Sequence, residues 1–434
     1  MGSPIYLFLS VLCFSCSVTL TTAGVKTCTT ELEYYFNLFG QTNGGTCQID
    51  PDGGASPMEI LGRWGCTVEE KILTTGDGYQ VSVIRAYSKN LNTSLAPILM
   101  VHGIYMNTRG FMSSQEKSLA YQFLVAGGGD RQVFFLSLRG TIYSTGNING
   151  LDQSNYDYWN FSWHEMGKYD VAAALEFVWA TTGQKAIVIG YSMGTTVTTV
   201  YLSLDPATAQ SRVRNFIAMA PIVILNKQIR SILGGLATIW PLVQPMAKLA
   251  FNGQVLKKNP AYTSFCALVP VTMQMCYSVT VPIFGNNYPC LDYEKRPIQI
   301  TNNPDSICEK VITHYAQLIN SGRFQKFDYG SAGNLVAYNS ATPPEYPLSD
   351  INVPVTYIVS DNDWLAEKSN ALLAYNKIRS DCQCGFMRVS DTQFAHDNFI
   401  NHKDQLLLLN QRLAAIINNQ LDQINPTCPT QQTI

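Results

Sequence analysis

The sequence predicts an α/β fold: a mostly parallel sheet covered on both faces by helices, with one inserted, mainly helical unit. Three observations predict it. From residue 69 onward, short apolar runs that end at glycine alternate with stretches of helical period. A serine sits between two glycines in Gly190-Tyr191-Ser192-Met193-Gly194, directly after one such run. The alternation then fails between residues 221 and 350 and resumes beyond them.

Taken in order, the chain opens with an apolar run from Ile5 to Leu20 that ends in small residues. This pattern predicts a signal peptide over residues 1–24, cut near Ala23 or Gly24. No Lys or Arg precedes the run, and an uncleaved anchor is the alternative, although a membrane span takes about 20 residues. No later segment is long and apolar enough to span, so stable transmembrane insertion is not expected.

Residues 25–220 and 351–434 are assigned to one core. "KILTTGDGYQVSVIRAY" reads as a hairpin turning at Gly76-Asp77-Gly78. "APILMVHG" (96–103) and "QVFFLSLRG" (132–140) read as buried strands. In "MGKYDVAAALEFVWATTG" (166–183), Tyr169, Ala172, Ala173, Leu175 and Val178 recur at helical spacing, and Gly183 ends the helix. Ala186–Ile189 is a strand core. The Thr/Val-rich residues after Ser192 have strand propensity, yet Val197, Val200, Tyr201 and Leu204 keep a helical period, and period overrides propensity here. "NFIAMAP" (215–221), "VPVTYIVSDND" (353–363) and "GFMRVSD" (385–391) are further strands. A final helix carries Leu406, Leu407, Leu409, Leu413 and Ile416.

Residues 221–350 read as a helical cap over the C-terminal edge of the sheet. Ile229, Ile232, Leu233, Leu236, Trp240 and Val243 fall on one helical face. A strand–helix unit takes about 30 residues, and this interval is far longer without a clear strand.

Bulk composition excludes some functions. The chain has 434 residues and a net charge of −2, with 46% apolar and 14% charged residues. No basic stripe appears, so no nucleic-acid partner is expected. Outside the leader stand Cys28, Cys47, Cys66, Cys266, Cys276, Cys290, Cys308, Cys382, Cys384 and Cys428. An even number in an exported chain predicts disulfides, and the lack of paired CxxC units gives no reason to expect a metal. Asn92-Thr-Ser and Asn160-Phe-Ser are glycosylation sequons.

Ser192 raises the question of chemistry. Ligands of an open parallel sheet bind at the C-terminal strand ends. Gly190 and Gly194 permit a sharp strand-to-helix turn that holds the hydroxyl outward. The motif alone matches by chance about 0.15 times in a chain of this size; its strand-before, helix-after context raises it. A serine needs a base, which in this topology follows an acid late in the chain. His396 and His402 qualify by position; His396 lies in a loop after the last strand, whereas His402 reads as a solvated or capping residue. Asp361 and Asp363 both qualify as the acid, and spacing does not separate them. The amides of Met193 and Ile104 are the expected oxyanion donors. His102, in the same loop, is expected to be structural.

Several ordered stretches resemble the acid lipases of the α/β-hydrolase fold, which include gastric and lysosomal acid lipases. They are "RWGCTVEEKILTTGDGYQVSVIRAY", "MVHG", "YWNFSWHEMGKYDVAAALEFV", "TGQKAIVIGYSMGTT", "INSGRFQKFDYGSAGNLVAYNSATPPEYPLSDINVPV", "NDWLAE" and "HDNFI". The similarity runs from about residue 57 to about 415. It implies Ser192 as nucleophile, Asp363 rather than Asp361 as acid, His396 as base, and a cap ahead of the acid-bearing strand. It departs at Tyr191 and Met193, where the family has His and Gln, and at Leu136-Ser137-Leu138-Arg139-Gly140, where the family has Gly-Asn-Ser-Arg-Gly. Four cap cysteines also exceed the single disulfide that the resemblance implies. The expected activity is secreted or lysosomal hydrolysis of fatty-acid esters, such as acylglycerols or sterol esters, at a lipid–water interface and without a cofactor. The alternatives are a catalytically weak lipid carrier and an acyltransferase that uses the same acyl-enzyme.

Overall fold

The computed structural model describes residues 50–126, 129–266, 270–287, 290–292, 295–302, 304–423, 427–429 and 432–434. The expected signal peptide, Cys28 and Cys47 lie outside them. Eight strands form the main sheet: β1 (Thr67–Thr74), β2 (Tyr79–Tyr87), β3 (Ile98–Val101), β4 (Gln132–Ser137), β5 (Ala186–Tyr191), β6 (Val213–Met219), β7 (Val355–Val359) and β8 (Gln383–Arg388). Their spatial order is β1-β2-β4-β3-β5-β6-β7-β8, with a two-residue strand, Gly146–Asn147, added beside β2. β2 runs antiparallel to β1, to β4 and to the two-residue strand, and the remaining neighbouring pairs are parallel.

Burial explains the strand composition. Every residue of β3, β4, β5 and β7 is buried, which requires cover on both faces and accounts for their continuous apolar runs. β1 is the exposed edge, and Glu69, Glu70 and Lys71 give it the charges that discourage further strand pairing.

Two helices frame the serine turn. α1 (Ala172–Thr182) stops at Gly183, whose φ of 67° is left-handed. α2 (Met193–Leu204) is the Thr/Val stretch, and the helical period prevails over strand propensity as expected. It is not amphipathic, however, because every residue from Met193 to Ser203 is buried. Its threonines satisfy their own hydroxyls. Thr198 and Thr199 donate to the carbonyls of Gly194 and Thr195 at 2.7 Å each, and Thr196 donates to the Ile222 carbonyl at 2.6 Å.

Between β6 and β7 the described residues add no strand to the main sheet. Residues 221–350 form helices, chiefly α3 (Leu233–Phe251) and α4 (Glu309–Ser321), and a two-strand ribbon of Gln254–Val255 and Ile307–Cys308. The expected apolar face is only partly right. α3 begins at Leu233, so Ile229 lies ahead of it, and Ile232 and Leu236 are largely exposed. α3 is apolar nearly all round, so periodicity could not select the buried side. Its inner side packs near α4, where the Trp240 indole donates to Thr313 Oγ1 at 2.8 Å.

At the C-terminal end the helical run is broken by π turns at Leu406–Asn410 and Ile417–Leu421, and Leu407 faces solvent. Cys266–Cys276 and Cys384–Cys428 are disulfides, the second fastening the tail to β8. Disulfides are thus present as expected, while Cys66, Cys290, Cys308 and Cys382 have no disulfide partner among the described residues. The Cys308 thiol donates to main-chain carbonyls of Trp159 and Phe161 instead.

Candidate active site

Chain order reverses on either side of β3, with β4 to one side and β5 to the other, and such a reversal opens a crevice at the carboxyl ends of the strands. The predicted residues meet there. Ser192 follows β5 with φ 52° and ψ −118°, a strained conformation for a residue with a Cβ. Packing leaves the chain no alternative. A Cβ on Gly194 would stand 2.1 Å from the Val101 carbonyl oxygen, and one on Gly190 would stand 2.8 Å from the Gly194 carbonyl. Helix α2 therefore packs this closely on β5 and β3 only because both positions are glycine.

Ser192 Oγ lies 2.8 Å from His396 Nε2, and His396 Nδ1 lies 2.8 Å from Asp363 Oδ2. All three residues are buried. The other oxygen of Asp363 accepts the amides of Leu365 at 2.9 Å and Ala366 at 2.6 Å, which fixes the carboxylate. Oδ2 accepts the Nδ1 proton, and this leaves the Nε2 lone pair for the serine hydroxyl.

Geometry also separates the two acids and the two histidines. Asp361 points outward to Arg388 and Lys368. His402 is buried, not solvated, and stacks on Phe394; its Nδ1 accepts the Asp404 amide at 2.9 Å. Cys290, Asp391 and His402 bring ligand-type atoms within 4.8 Å of one another. Because Nδ1 of His402 accepts, Nε2 keeps its proton facing Asp391 at 3.3 Å and has no lone pair for a metal.

Ile104 and Met193 line the same cavity as Ser192 and His396. Met193 is the first residue of α2, so its amide has no acceptor within the helix. His102 links two loops: its Nδ1 donates to the Gly103 carbonyl at 2.8 Å and its Nε2 accepts the Leu138 amide at 3.0 Å. Burial holds its imidazole neutral, with a pKa lowered to about 4. Asn92 and Asn160 stand exposed on loops away from the crevice, and Asn160 Oδ1 accepts from Lys310.

One departure from the family pattern, Tyr191, and one residue that keeps it, Arg139, have structural uses. The Tyr191 hydroxyl donates to the His396 carbonyl at 3.1 Å, so the residue before the serine steadies the imidazole loop. Arg139 is fully buried and meets Asp170 and Asp77 at 2.6 Å each.

Two partners of His396 escaped the sequence. Phe284, from the inserted unit, stacks on the imidazole with ring centres 5.2 Å apart. No local pattern marks it. Asp397, the next residue in the chain, lines the cavity and accepts from Asn287 at 2.5 Å; burial pushes its carboxyl up to about 6. An acid beside the base in "HDNFI" was its visible signal.

The cavity above Ser192 measures about 720 Å³ and is mainly apolar. Ile104, Tyr191 and Leu365 of the core form one wall, and Ile283, Phe284, Ile312 and Ile319 of the inserted unit form the other.

The chain is similar in sequence to known hydrolases and lipases. Residues 96–251 match the family model described as alpha/beta hydrolase fold, and residues 57–115 match one described as partial alpha/beta-hydrolase lipase region. The chain is 27% identical to gastric triacylglycerol lipase of Rattus norvegicus over 79% of its own length and 86% of the relative's. It is 29% identical to lipase lipl-3 of Caenorhabditis elegans over 74% and 81%, respectively. It is 26% identical to lysosomal acid lipase/cholesteryl ester hydrolase of Macaca fascicularis over 76% and 84%.

Proposed function

This chain is an α/β hydrolase of the acid lipase family and an ester hydrolase of the lipase kind, and we propose that it cleaves fatty-acid esters through an acyl-enzyme on Ser192. The observation that carries this is the continuous contact from Ser192 Oγ through His396 to Asp363, with both steps at 2.8 Å, under a largely apolar cavity.

In this reading His396 Nε2 takes the hydroxyl proton as Ser192 attacks the ester carbonyl. Asp363 holds the imidazole in the required tautomer and stabilises the imidazolium. The amides of Met193 and Ile104 receive the negative charge on the carbonyl oxygen. The imidazolium then protonates the leaving alcohol, and water, activated by the same base, releases the fatty acid. The cavity walls favour a long acyl chain, since each buried CH₂ contributes about 0.8 kcal/mol. Acylglycerols and sterol esters are the proposed substrates, and a secreted or lysosomal site of action is the proposed location. Asn92 and Asn160 are the proposed glycan positions.

Residues 221–350 act as the cap in this proposal, and α3 supplies the surface that meets lipid. Ile239, Leu242, Met246 and Leu249 lie on one face of α3 and are 50–85% exposed, an apolar stripe of the kind that marks a contact surface.

Labelling with a fluorophosphonate and hydrolysis of a p-nitrophenyl fatty ester test the proposal together. Wild type should be labelled at Ser192 and lose activity. Ser192→Ala should be folded, unlabelled and inactive. Full turnover by Ser192→Ala rejects the nucleophile, and an inert Ser192 in wild type favours a lipid carrier.

A further inference from the structure

We infer that Asp305, on the inserted helical unit, is a positioning residue for the oxyanion: it holds the loop that carries the Ile104 amide. The inference rests on the serine-hydrolase reading above. The loop leaves β3 at His102, and the residue after Ile104 is strained. Tyr105 has φ 58°, a left-handed conformation that a bulky side chain keeps only when its surroundings enforce it.

The inserted unit supplies that enforcement through one residue. The Asp305 amide donates to the Tyr105 carbonyl at 2.8 Å. Asp305 Oδ2 accepts from Asn107 Nδ2 at 2.7 Å and from the Ile142 amide at 3.3 Å, and Oδ1 accepts the Ser306 amide at 2.7 Å. Asn107 is fully buried, and its own Oδ1 accepts the Arg109 amide at 2.9 Å, which starts the short turn Thr108–Phe111. Asp305 thus grips the loop at residue 105 through main chain and at residue 107 through side chain.

The chemistry of the grip calls for a carboxylate. Three N–H donors converge on its two oxygens, and the residue has no exposed surface. A carboxylate accepts at both oxygens, whereas an amide turns one of them into a donor that faces another donor. Burying such a group without these partners would be costly, and filling the space needs only an apolar side chain. The same two units are also joined elsewhere, by Lys117 and Asp292 at 2.6 Å, so docking alone does not require Asp305.

An oxyanion donor works only near 2.7–3.1 Å from the charged oxygen. A loop that relaxes loses that alignment while the acyl pocket stays intact. Asp305→Asn should therefore lower kcat on a p-nitrophenyl fatty ester by about 10- to 100-fold, with KM within about twofold. Asn107→Ala should do the same, and the double variant should lose little more than either single one. Lys117→Met, which cuts a different link between the same units, should keep kcat within about twofold of wild type.

The inference is overturned by wild-type kcat in Asp305→Asn, by additive losses in the double variant, or by an equal loss in Lys117→Met. If Asp305→Asn does not fold, Asn107→Ala carries the test by the same kcat and KM criterion. An inactive Ser192→Ala beside a fully active Asp305→Asn removes this inference alone. A fully active Ser192→Ala removes the reading beneath it.

Discussion

At the scale of single residues, the candidate site depends on which of two nearby acids reaches the imidazole. Asp361 and Asp363 are two positions apart at the end of the same strand, and local sequence treats them alike. The fold separates them: Asp363 turns inward to two amides and His396, and Asp361 turns outward to Arg388 and Lys368. Asp363→Asn should lower kcat by several orders of magnitude, because an amide no longer fixes the Nδ1–H tautomer. Asp361→Asn should change kcat by less than about threefold, since it removes only half-exposed ion pairs. Steady-state kinetics on one soluble ester checks both, and a reversed pair of results assigns the acid to Asp361. Ser192, Asp363 and His396 were legible in the sequence through order and family motif. Phe284 and Asn107 were not, because their roles exist only where distant segments touch.

At the scale of elements, two features carry predictions. The first is the β5–α2 turn. Gly194→Ala would place a methyl group 2.1 Å from the Val101 carbonyl oxygen, inside a rigid backbone. It should destabilise the protein by about 3 kcal/mol or more. Gly62→Ala, on helix Pro57–Arg63 with nothing within 4 Å of its added Cβ, should be neutral or stabilising. Chemical denaturation of the two variants distinguishes a packing constraint from a general intolerance of side chains.

The second feature is α3. Leu242→Glu with Leu249→Glu should weaken binding to phospholipid-coated triacylglycerol droplets while sparing hydrolysis of a soluble short-chain ester. Loss of both activities would show that this face serves the fold and not the interface. The helical period of α2 was readable before any coordinates, despite its strand-forming residues. The buried side of α3 was not, because a helix that is apolar nearly all round gives periodicity nothing to select.

At the scale of the whole molecule, buried ionisable groups set the response to acid. His102 has its pKa lowered to about 4 by burial, and burial also lowers His164, His314 and His402. Such groups are neutral in the folded chain. Their stabilising contribution is present above an ordinary histidine pKa of about 6.5 and is lost as pH falls through the folded values. Asp397 works in the opposite sense. Its pKa is raised from 3.8 to about 6 by burial, so its contribution is present below 3.8 and is lost as pH rises through 6.

The thermal midpoint should therefore fall from pH 7 to pH 4, with Asp397 offsetting part of the loss. Asp397→Asn should steepen that fall, because it removes an offset on the order of 3 kcal/mol of stability at about 1.4 kcal/mol per pKa unit. Melting curves at the two pH values decide it, and an unchanged slope in Asp397→Asn refutes the offset.

The sequence by itself determined the strand–helix alternation, the serine turn, the chain order of the candidate residues Ser192, Asp363 and His396, and the place of the helical insertion. These are written in local period, in glycines and in chain order, which neighbouring residues alone can express. Only the tertiary structure decided which side of α3 is buried, how far the cysteines pair, that Phe284 stacks on His396, and that Asp305 reaches across to the loop of Tyr105. Those outcomes depend on contacts between segments far apart in the chain, and burial and hydrogen-bond geometry at such contacts are fixed only once the whole chain has packed.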